Sequence, residues 1–350
     1  MEKTFNYAFL ARGELPTKFV PLSNIVAEQK SLNSYREGTY PDIFSHLENI
    51  ARLQSVKESN AIEGIITNDE RLNQIITGTT EPLNHDEMEI AGYRDALDTI
   101  HQSYTRLDVS EINILNLHRQ MLTYTMDGGG AYKQGNNLIV AVDDLGNRKT
   151  RFTPVSAEAT PRAMEQLTLA YFDARSRSDI SPLLLIPCYI LDFLCIHPFG
   201  DGNGRMSRLL SLLLLYRSGY DIGKYISFEA KISKFKTNYY QALKESSENW
   251  HTNQNDYFPF MYNFLQTLVL CYKDLDQRFA HLQGERPSKK VRIEQTLMNS
   301  LTPMSKKDMQ EVWPDLSIST IEAVLGAMLK AGKIEKIGAA RSTKYIRKLN

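Results

Sequence analysis

The chain is predicted to be mainly α-helical, with one β-hairpin and a small C-terminal domain. Three observations carry that expectation. Apolar residues recur at spacings of three and four through most of the chain, which places them on single helical faces. One glycine-rich stretch, MDGGGAYKQGNNLIVAVDDLGNRKTRFTP, breaks the pattern with a β-branched run and a turn signal. A polar segment with Gly and Pro, QGERPSKK, then separates residues 291–350 from the rest.

In PDIFSHLENIARLQSVKESNAIEG, residues Phe44, Leu47, Ile50, Leu53 and Val56 align on one side, and Gly64 supplies a stop. This predicts a helix over about 42–64 within an N-terminal helical region, 1–105. Further helices are predicted across HDEMEIAGYRDALDTIHQSY and SEINILNLHRQMLTY, the latter with Ser110 as its cap. The hairpin has expected strands at 138–142 and 151–153 around the turn DDLGN. Helices resume near Pro161 and run through LLLIPCYILDFLCI. After a glycine loop another helix starts at Arg205, and two more follow at 230–248 and 256–279. Residues 106–282 form the expected core domain and 283–290 the linker. Beyond it VRIEQTLMNSL, SKKDMQEVW and SISTIEAVLGAMLKAGKI read as three helices, Ser317 capping the third. KIEKIGAARSTKYIRKL reads as two short strands, which completes the order of a winged helix.

Of the 350 residues, 42% are apolar and 23% charged, and the formal net charge is zero. No global field therefore draws the chain to nucleic acid or membrane. The charge is unevenly placed: residues 285–350 carry 13 Lys and Arg against 7 Asp and Glu, leaving 28 against 34 for the 284 residues before them. A basic C-terminal domain on a mildly acidic body permits a nucleic-acid partner. The three cysteines, Cys188, Cys195 and Cys271, form neither a disulfide framework nor a metal spacing, and fit a reducing compartment. MEKTFNYAFLARGELP lacks the apolar core of a signal peptide. The apolar run 183–196 is too short to span a bilayer and contains Asp192. The expectation is a cytoplasmic protein without a membrane partner.

The chemistry concentrates in HPFGDGNGR, residues 197–205. Gly202 and Gly204 let backbone N–H groups approach a ligand without Cβ obstruction. A helix starting beside them adds its unsatisfied N–H groups and the positive end of its dipole, which together make a phosphate cradle. Arg205 and Arg208, three apart, share a helical face and can both reach a polyphosphate. Asp201, an acid in a site built for anions, makes sense as a ligand of Mg²⁺ that bridges phosphates. His197, ending the preceding helix, is the candidate general base, since it titrates near neutral pH.

His197, Phe199, Asp201, Gly202, Asn203, Gly204, Arg205 and Arg208 match at every defining position the HxFx(D/E)GNGRxxR motif of Fic-domain proteins, and the chain resembles that family over about residues 20–279. The resemblance implies a helical Fic core with a β-hairpin flap that presents the target. It implies transfer of AMP from ATP to a Ser, Thr or Tyr hydroxyl of a protein, the chain itself included, with release of pyrophosphate. It makes His197 the base and Asp201 the Mg²⁺ ligand. Gly200, Gly202, Asn203 and Gly204 hold ATP, and Arg205 and Arg208 contact its β- and γ-phosphates. SNAIEG, with Ser59, Glu63 and Gly64, matches the family's inhibitory pattern (S/T)xxxE(G/N). By that resemblance Glu63 pairs with Arg208, takes the space of the γ-phosphate and holds the enzyme self-inhibited. The same resemblance leaves AMP removal open, with Glu63 positioning a water.

The competing expectation is a nucleotide-responsive DNA-binding regulator acting through the winged helix, although STIEAVLGAMLK offers few base-reading side chains. A protein partner or a homodimer contact is the alternative use of that domain. The other histidines (His46, His85, His101, His118, His251 and His281) form no cluster in the sequence and receive no role.

Overall fold

The structure is a computed structural model and describes residues 3–126, 128–142, 148–280, 289–300, 303–338 and 343–348. Two helices, α1 (Phe9–Arg12) and α2 (Phe19–Thr39), precede the first one expected from periodicity, α3 (Pro41–Ile62). The α2 helix escapes pattern reading because its buried face includes Asn33 and Arg36 as well as Phe19 and Val26. Arg36 is neutralised by Asp276 at 2.7 Å. The α3 helix starts with proline in its first turn and Asp42 at its positive end, and buries Phe44, Leu47 and Val56. It stops at Glu63, after which Gly64 takes φ +86°.

The short α4 (Asp69–Ile76) was not expected either; Asn68 caps it by accepting from the Arg71 N–H at 2.9 Å. The α5 (His85–Ser103) and α6 (Glu111–Met121) helices lie where their periodicity placed them. Ser110 occupies the N-cap position of α6, but its side chain makes no cap bond. The hairpin pairs β1 (Ile139–Val142) with β2 (Arg148–Phe152), antiparallel, with Val142 opposite Arg148 and an irregularity after Ile139. The second strand thus starts three residues earlier than expected, because pairing continues through Lys149 and Thr150. The expected turn at 143–147 lies outside the described residues.

Three helices then build the centre: α7 (Thr160–Ser176), α8 (Pro182–Ile196) and α9 (Asn203–Arg217). All but the first residue of α8 are buried, and it packs on α7, on α9 and on the later α12 (Phe258–Ala280). The single helix expected over 230–248 is two, α10 (Phe228–Lys234) and α11 (Lys236–Ser247), which break at Phe235. The apolar spacing continues across the break, so periodicity could not register it. One apolar core runs from Tyr7 to Phe279.

Inside that core lies Asp192, fully buried on α8. It accepts from Tyr7 Oη at 2.7 Å, Trp250 Nε1 at 2.6 Å and Tyr257 Oη at 3.0 Å. Burial raises its carboxyl pKa, and the donors and nearby Lys3 counter that push. The acid that argues in the sequence against a membrane span is thus the knot tying the N-terminal segment to α8. Asp192→Ala strands three buried donors and is expected to cost at least about 3 kcal/mol, read as a lower urea midpoint with an unchanged m-value.

Residues 289–347 form a second, smaller core around Ile293, Met309, Trp313, Leu325 and Tyr345. Its elements are α13 (Lys289–Asn299), α14 (Lys306–Val312), α15 (Ile318–Lys330), β3 (Ile334–Ile337) and β4 (Lys344–Arg347). The two strands pair antiparallel, and Met304 adds one bridge to Tyr345. Ser305 heads α14 in a capping box with Asp308, and Ser317 caps α15 by accepting from the Thr320 N–H. Of the expected linker only Lys289 and Lys290 are described, and both are helical. The α14 helix packs on α3. No helix among the described residues is long and apolar enough to cross a membrane.

Candidate active site

The α8 helix ends at Ile196, and His197 takes the left-handed conformation at its C-cap, φ 53° and ψ 61°. A non-glycine residue held there costs about 1–2 kcal/mol, so the surroundings must enforce it. The His197 N–H donates to the Phe193 carbonyl at 2.9 Å, and Lys133 Nζ donates to the Ile196 carbonyl at 3.1 Å. The Lys133 N–H donates to the Pro198 carbonyl at 2.9 Å, and Asn137 Nδ2 to the Phe199 carbonyl at 3.1 Å. The segment before the hairpin therefore clasps the loop from one side.

His118 holds it from beneath. Its ring stacks on Phe199 with centroids 3.7 Å apart. Nδ1 accepts from the Gly130 N–H at 3.0 Å, which leaves Nε2–H to donate to the Asp201 carbonyl at 3.1 Å. The sequence carried a signal for this residue: His118 lies on the buried face of α6 with Ile114, Leu117 and Met121. Burial lowers its pKa to about 4. The unfolded chain takes up this proton near pH 6.5, whereas the folded chain resists until about pH 4. Stability therefore falls as pH drops through that window, by on the order of 2 kcal/mol for one imidazole at pH 5. Urea midpoints at pH 7 and pH 5 measure the loss, which should be shallower in His118→Gln.

The glycine loop then turns into α9. Gly202 sits at the N-cap with φ +77°, where a Cβ would collide with Met121 Cε. The helix begins at Asn203, two residues before the expected arginine start, and its first internal bond is Met206 N–H to the Gly202 carbonyl. The N–H groups of Asn203, Gly204 and Arg205 are thus left without helical partners, which is the anion-binding feature the sequence suggested. Gly200 is exposed, with open space around it.

The Asn203 side chain serves the loop itself. It is buried and directed inward: its Oδ1 accepts from the Phe199 N–H at 2.9 Å and its Nδ2 donates to the Phe199 carbonyl at 2.8 Å. It fastens the loop, and only its backbone N–H remains to face an anion. The Arg205 guanidinium is enclosed, donating to Glu89 Oε1 at 2.7 Å and to Asp201 Oδ2 at 2.8 Å. Its Nε and Nη1 are buried without a partner among the described residues. Glu89, on α5, had no signal in the sequence. The Asp201 carboxylate is 71% exposed apart from that bond.

Arg208 lies two turns into α9, buried. Its Nε donates to Ser59 Oγ at 2.8 Å, and its Nη2 to the Ser59 carbonyl at 2.9 Å and to Glu63 Oε1 at 2.8 Å. Two residues of SNAIEG thus converge on one guanidinium across the interface between α3 and α9. The Glu63 carboxylate also fills the close approach that Gly204 leaves, since a Cβ there would collide with Oε1. The last turn of α3 gains one more tie, Lys236 Nζ donating to the Ile62 carbonyl at 2.7 Å.

His197 faces two cavities that share Glu63 and Gly204. One, of about 370 Å³, lies over the glycine loop with Glu89 and Asp201. The other, of about 840 Å³, lies under the hairpin. Nδ1–H of His197 donates to the Leu194 carbonyl at 3.3 Å, which leaves Nε2 as an acceptor with no partner among the described residues. Burial, the leading cause, pushes its pKa down to about 4, Lys133 pushes the same way, and the Leu194 bond opposes them. The ring is neutral at physiological pH. Among the described residues no cluster of three or more side chains is built to hold a metal ion. A lone exposed carboxylate, Asp201, fits a Mg²⁺ that arrives with phosphate oxygens and waters of its own.

Residues 108–215 match the model of the Fic/DOC family. The chain is 28% identical over 190 residues to protein adenylyltransferase fic-1 of Caenorhabditis elegans, across 46% of this chain and 35% of that protein. It is 27% identical over 140 residues to a Fido domain-containing protein of Dictyostelium discoideum, across 38% of this chain and 98% of that protein. The chain therefore spans about a third of the length of the nematode relative. The fold is similar to the crystal structure of a Fic family protein from Desulfovibrio desulfuricans, with 20% identity, TM-score 0.62, and 96% and 97% of the two chains covered. It is also similar to a Fic domain-containing signaling protein from Bacteroides thetaiotaomicron, with 23% identity, TM-score 0.59, and 73% of this chain and 97% of that one covered. With the motif folded into a strained histidine, a glycine cradle and a helix start, the chain carries a domain of the Fic/DOC family.

Proposed function

We propose that this protein transfers AMP from ATP to a protein hydroxyl and that its own α3 helix inhibits the transfer. The observation that carries the reading is Nε2 of His197, neutral and without a partner among the described residues, beside an anion cradle now occupied by Glu63. Triphosphate oxygens take the N–H groups at the start of α9 and, once Glu63 withdraws, the Arg208 guanidinium. Asp201 would hold a Mg²⁺, whose charge would offset that of the phosphates. The acceptor hydroxyl gives its proton to His197 Nε2 while its oxygen bonds to the α-phosphorus. The bond from that phosphorus to the bridging oxygen breaks, and pyrophosphate leaves with the electron pair. Among the described residues the hairpin strands pair only with each other, so an outer edge can align an extended acceptor.

The nematode relative's name, protein adenylyltransferase, supports the same chemistry. Label from α-labelled ATP, measured on the purified chain with Mg²⁺, tests it. No label in Glu63→Gly, in the chain or in any added protein, would overturn the reading.

Residues 289–347 we read as a winged-helix module that meets protein rather than DNA. Its third helix exposes Ser319, Glu322, Ala323, Ala327 and Lys330, and Glu322 is paired with Lys306 at 2.5 Å. A small-residue face whose one acid is paired and whose one lysine sits at its end offers little to read base edges.

A further inference from the structure

The α3 helix carries more polar groups into the core than its ion pair with Arg208 accounts for. Leu47, Ala51, Ser55, Ser59 and Glu63 lie four apart and form one row along the helix. The first four are buried, and the row changes from apolar to polar at Ser55. Ser59 and Glu63 meet Arg208 on α9. Ser55, one turn earlier, turns to a different helix.

Its partner is Glu229, in the first turn of α10, which packs on α3. Ser55 Oγ donates to Glu229 Oε2 at 2.7 Å. Ser227 Oγ donates to the same oxygen at 3.2 Å, and Tyr93 Oη, from α5, donates to Oε1 at 3.2 Å. All four side chains are fully buried. Among the described residues the carboxylate is thus held by three neutral hydroxyls. Tyr93 also reaches the inhibitory end of the row. Ser59 Oγ accepts from Arg208 Nε at 2.8 Å, and Tyr93 Oη is placed to take the Ser59 proton. A buried carboxylate held in this way loses stability steeply when one donor moves off. The dipole of α10 favours its charge but does not replace a donor. Of the three donors only Ser55 belongs to α3. Because Ser55 and Glu63 share one row of one helix, a shift of α3 that frees Arg208 also draws Ser55 from Glu229.

We propose that Glu229 is a positioning residue for α3: through Ser55 directly, and through Tyr93 and Ser59, it fixes where the helix seats and so keeps Glu63 on Arg208. This rests on the self-inhibited adenylyl-transfer reading and adds to it the group that sets how firmly the inhibition holds. The alternative is a carboxylate that only stabilises the fold, and the two make different predictions.

The test is incorporation of label from α-labelled ATP with Mg²⁺ by the full-length chain carrying Glu229→Gln, alone and combined with Glu63→Gly. The carboxamide keeps the shape but offers one acceptor oxygen in place of two. Alone, Glu229→Gln is expected to raise incorporation by roughly tenfold over wild type, the size expected for one lost charge-assisted hydrogen bond. In the Glu63→Gly background it should give no further rise, because no inhibitory carboxylate is left to release. Ser55→Ala removes only the α3 side of the contact and keeps a good helix former. It is expected to behave in the same way, and it carries the test if Glu229→Gln does not fold. A folded single variant without a rise, while Glu63→Gly takes up label, overturns the proposal, since a carboxylate that only stabilises the fold predicts no gain. A rise of equal size in both backgrounds also overturns it, because Glu229 then acts on something other than Glu63. Absence of label from Glu63→Gly itself is failure of the transfer reading, which takes the proposal with it and is told apart by that control.

Discussion

Glu63→Gly is expected to raise AMP incorporation, self-modification included, by roughly 100-fold over wild type. The reason is local. Arg208 is buried and its Nη2 donates to Glu63 Oε1 at 2.8 Å, so no phosphate can take that bond until Glu63 leaves. The carboxylate also lies against Gly204, at the mouth of the helix-start cradle. A charge-assisted contact with one buried partner is worth about 3 kcal/mol, which converts to roughly 100-fold in the competent fraction. Glycine removes the carboxylate and leaves Ser59 to hold the guanidinium through its hydroxyl and carbonyl. The variant should therefore fold, with a urea midpoint lowered in step with the lost contact. Unchanged incorporation of α-label in this variant would remove the inhibitory role from α3.

His197→Ala, made in the Glu63→Gly background, is expected to lower incorporation by about 10²–10⁴-fold, the usual contribution of a positioned general base. Affinity for ATP should change little, since the helix-start N–H groups and Arg208 remain. Calorimetric titration with a non-hydrolysable analogue checks the second half. The pH profile of Glu63→Gly adds a signature: burial holds the His197 pKa down to about 4. The group is a base only above its pKa, so the acid limb of kcat/KM should lie well below the ordinary histidine value of about 6.5. Equal loss of binding and turnover in the double variant would make His197 a structural cap on α8 instead.

Much of this site was legible in the chain because its defining groups are local. A histidine, three glycines, an acid and an arginine within nine residues declare a turn between helices wherever the segment sits. The helix over 42–64 was legible for the same reason, since apolar spacing and a terminal glycine are properties of one segment. What escaped is what distant segments do to the loop. His118 and Glu89 stand 79 and 116 positions before His197 and Arg205. Nothing in their own neighbourhoods announces that they fix the Asp201 carbonyl and neutralise Arg205. The inward turn of Asn203 escaped on similar grounds. Inside a glycine loop its carboxamide looks free for a ligand, and only the folded loop turns it back onto Phe199.

The sequence by itself determined the helical class, the hairpin's place and the identity of the reactive segment. Each follows from periodicity, turn chemistry or spacing within a few residues of itself. The tertiary structure alone decided which groups are free to act. It delivers Glu63 to Arg208 across 145 positions and leaves Nε2 of His197 without a partner among the described residues. The physical reason is that burial and charge pairing depend on the neighbours a residue meets in space, and those are chosen by the packing of the whole core.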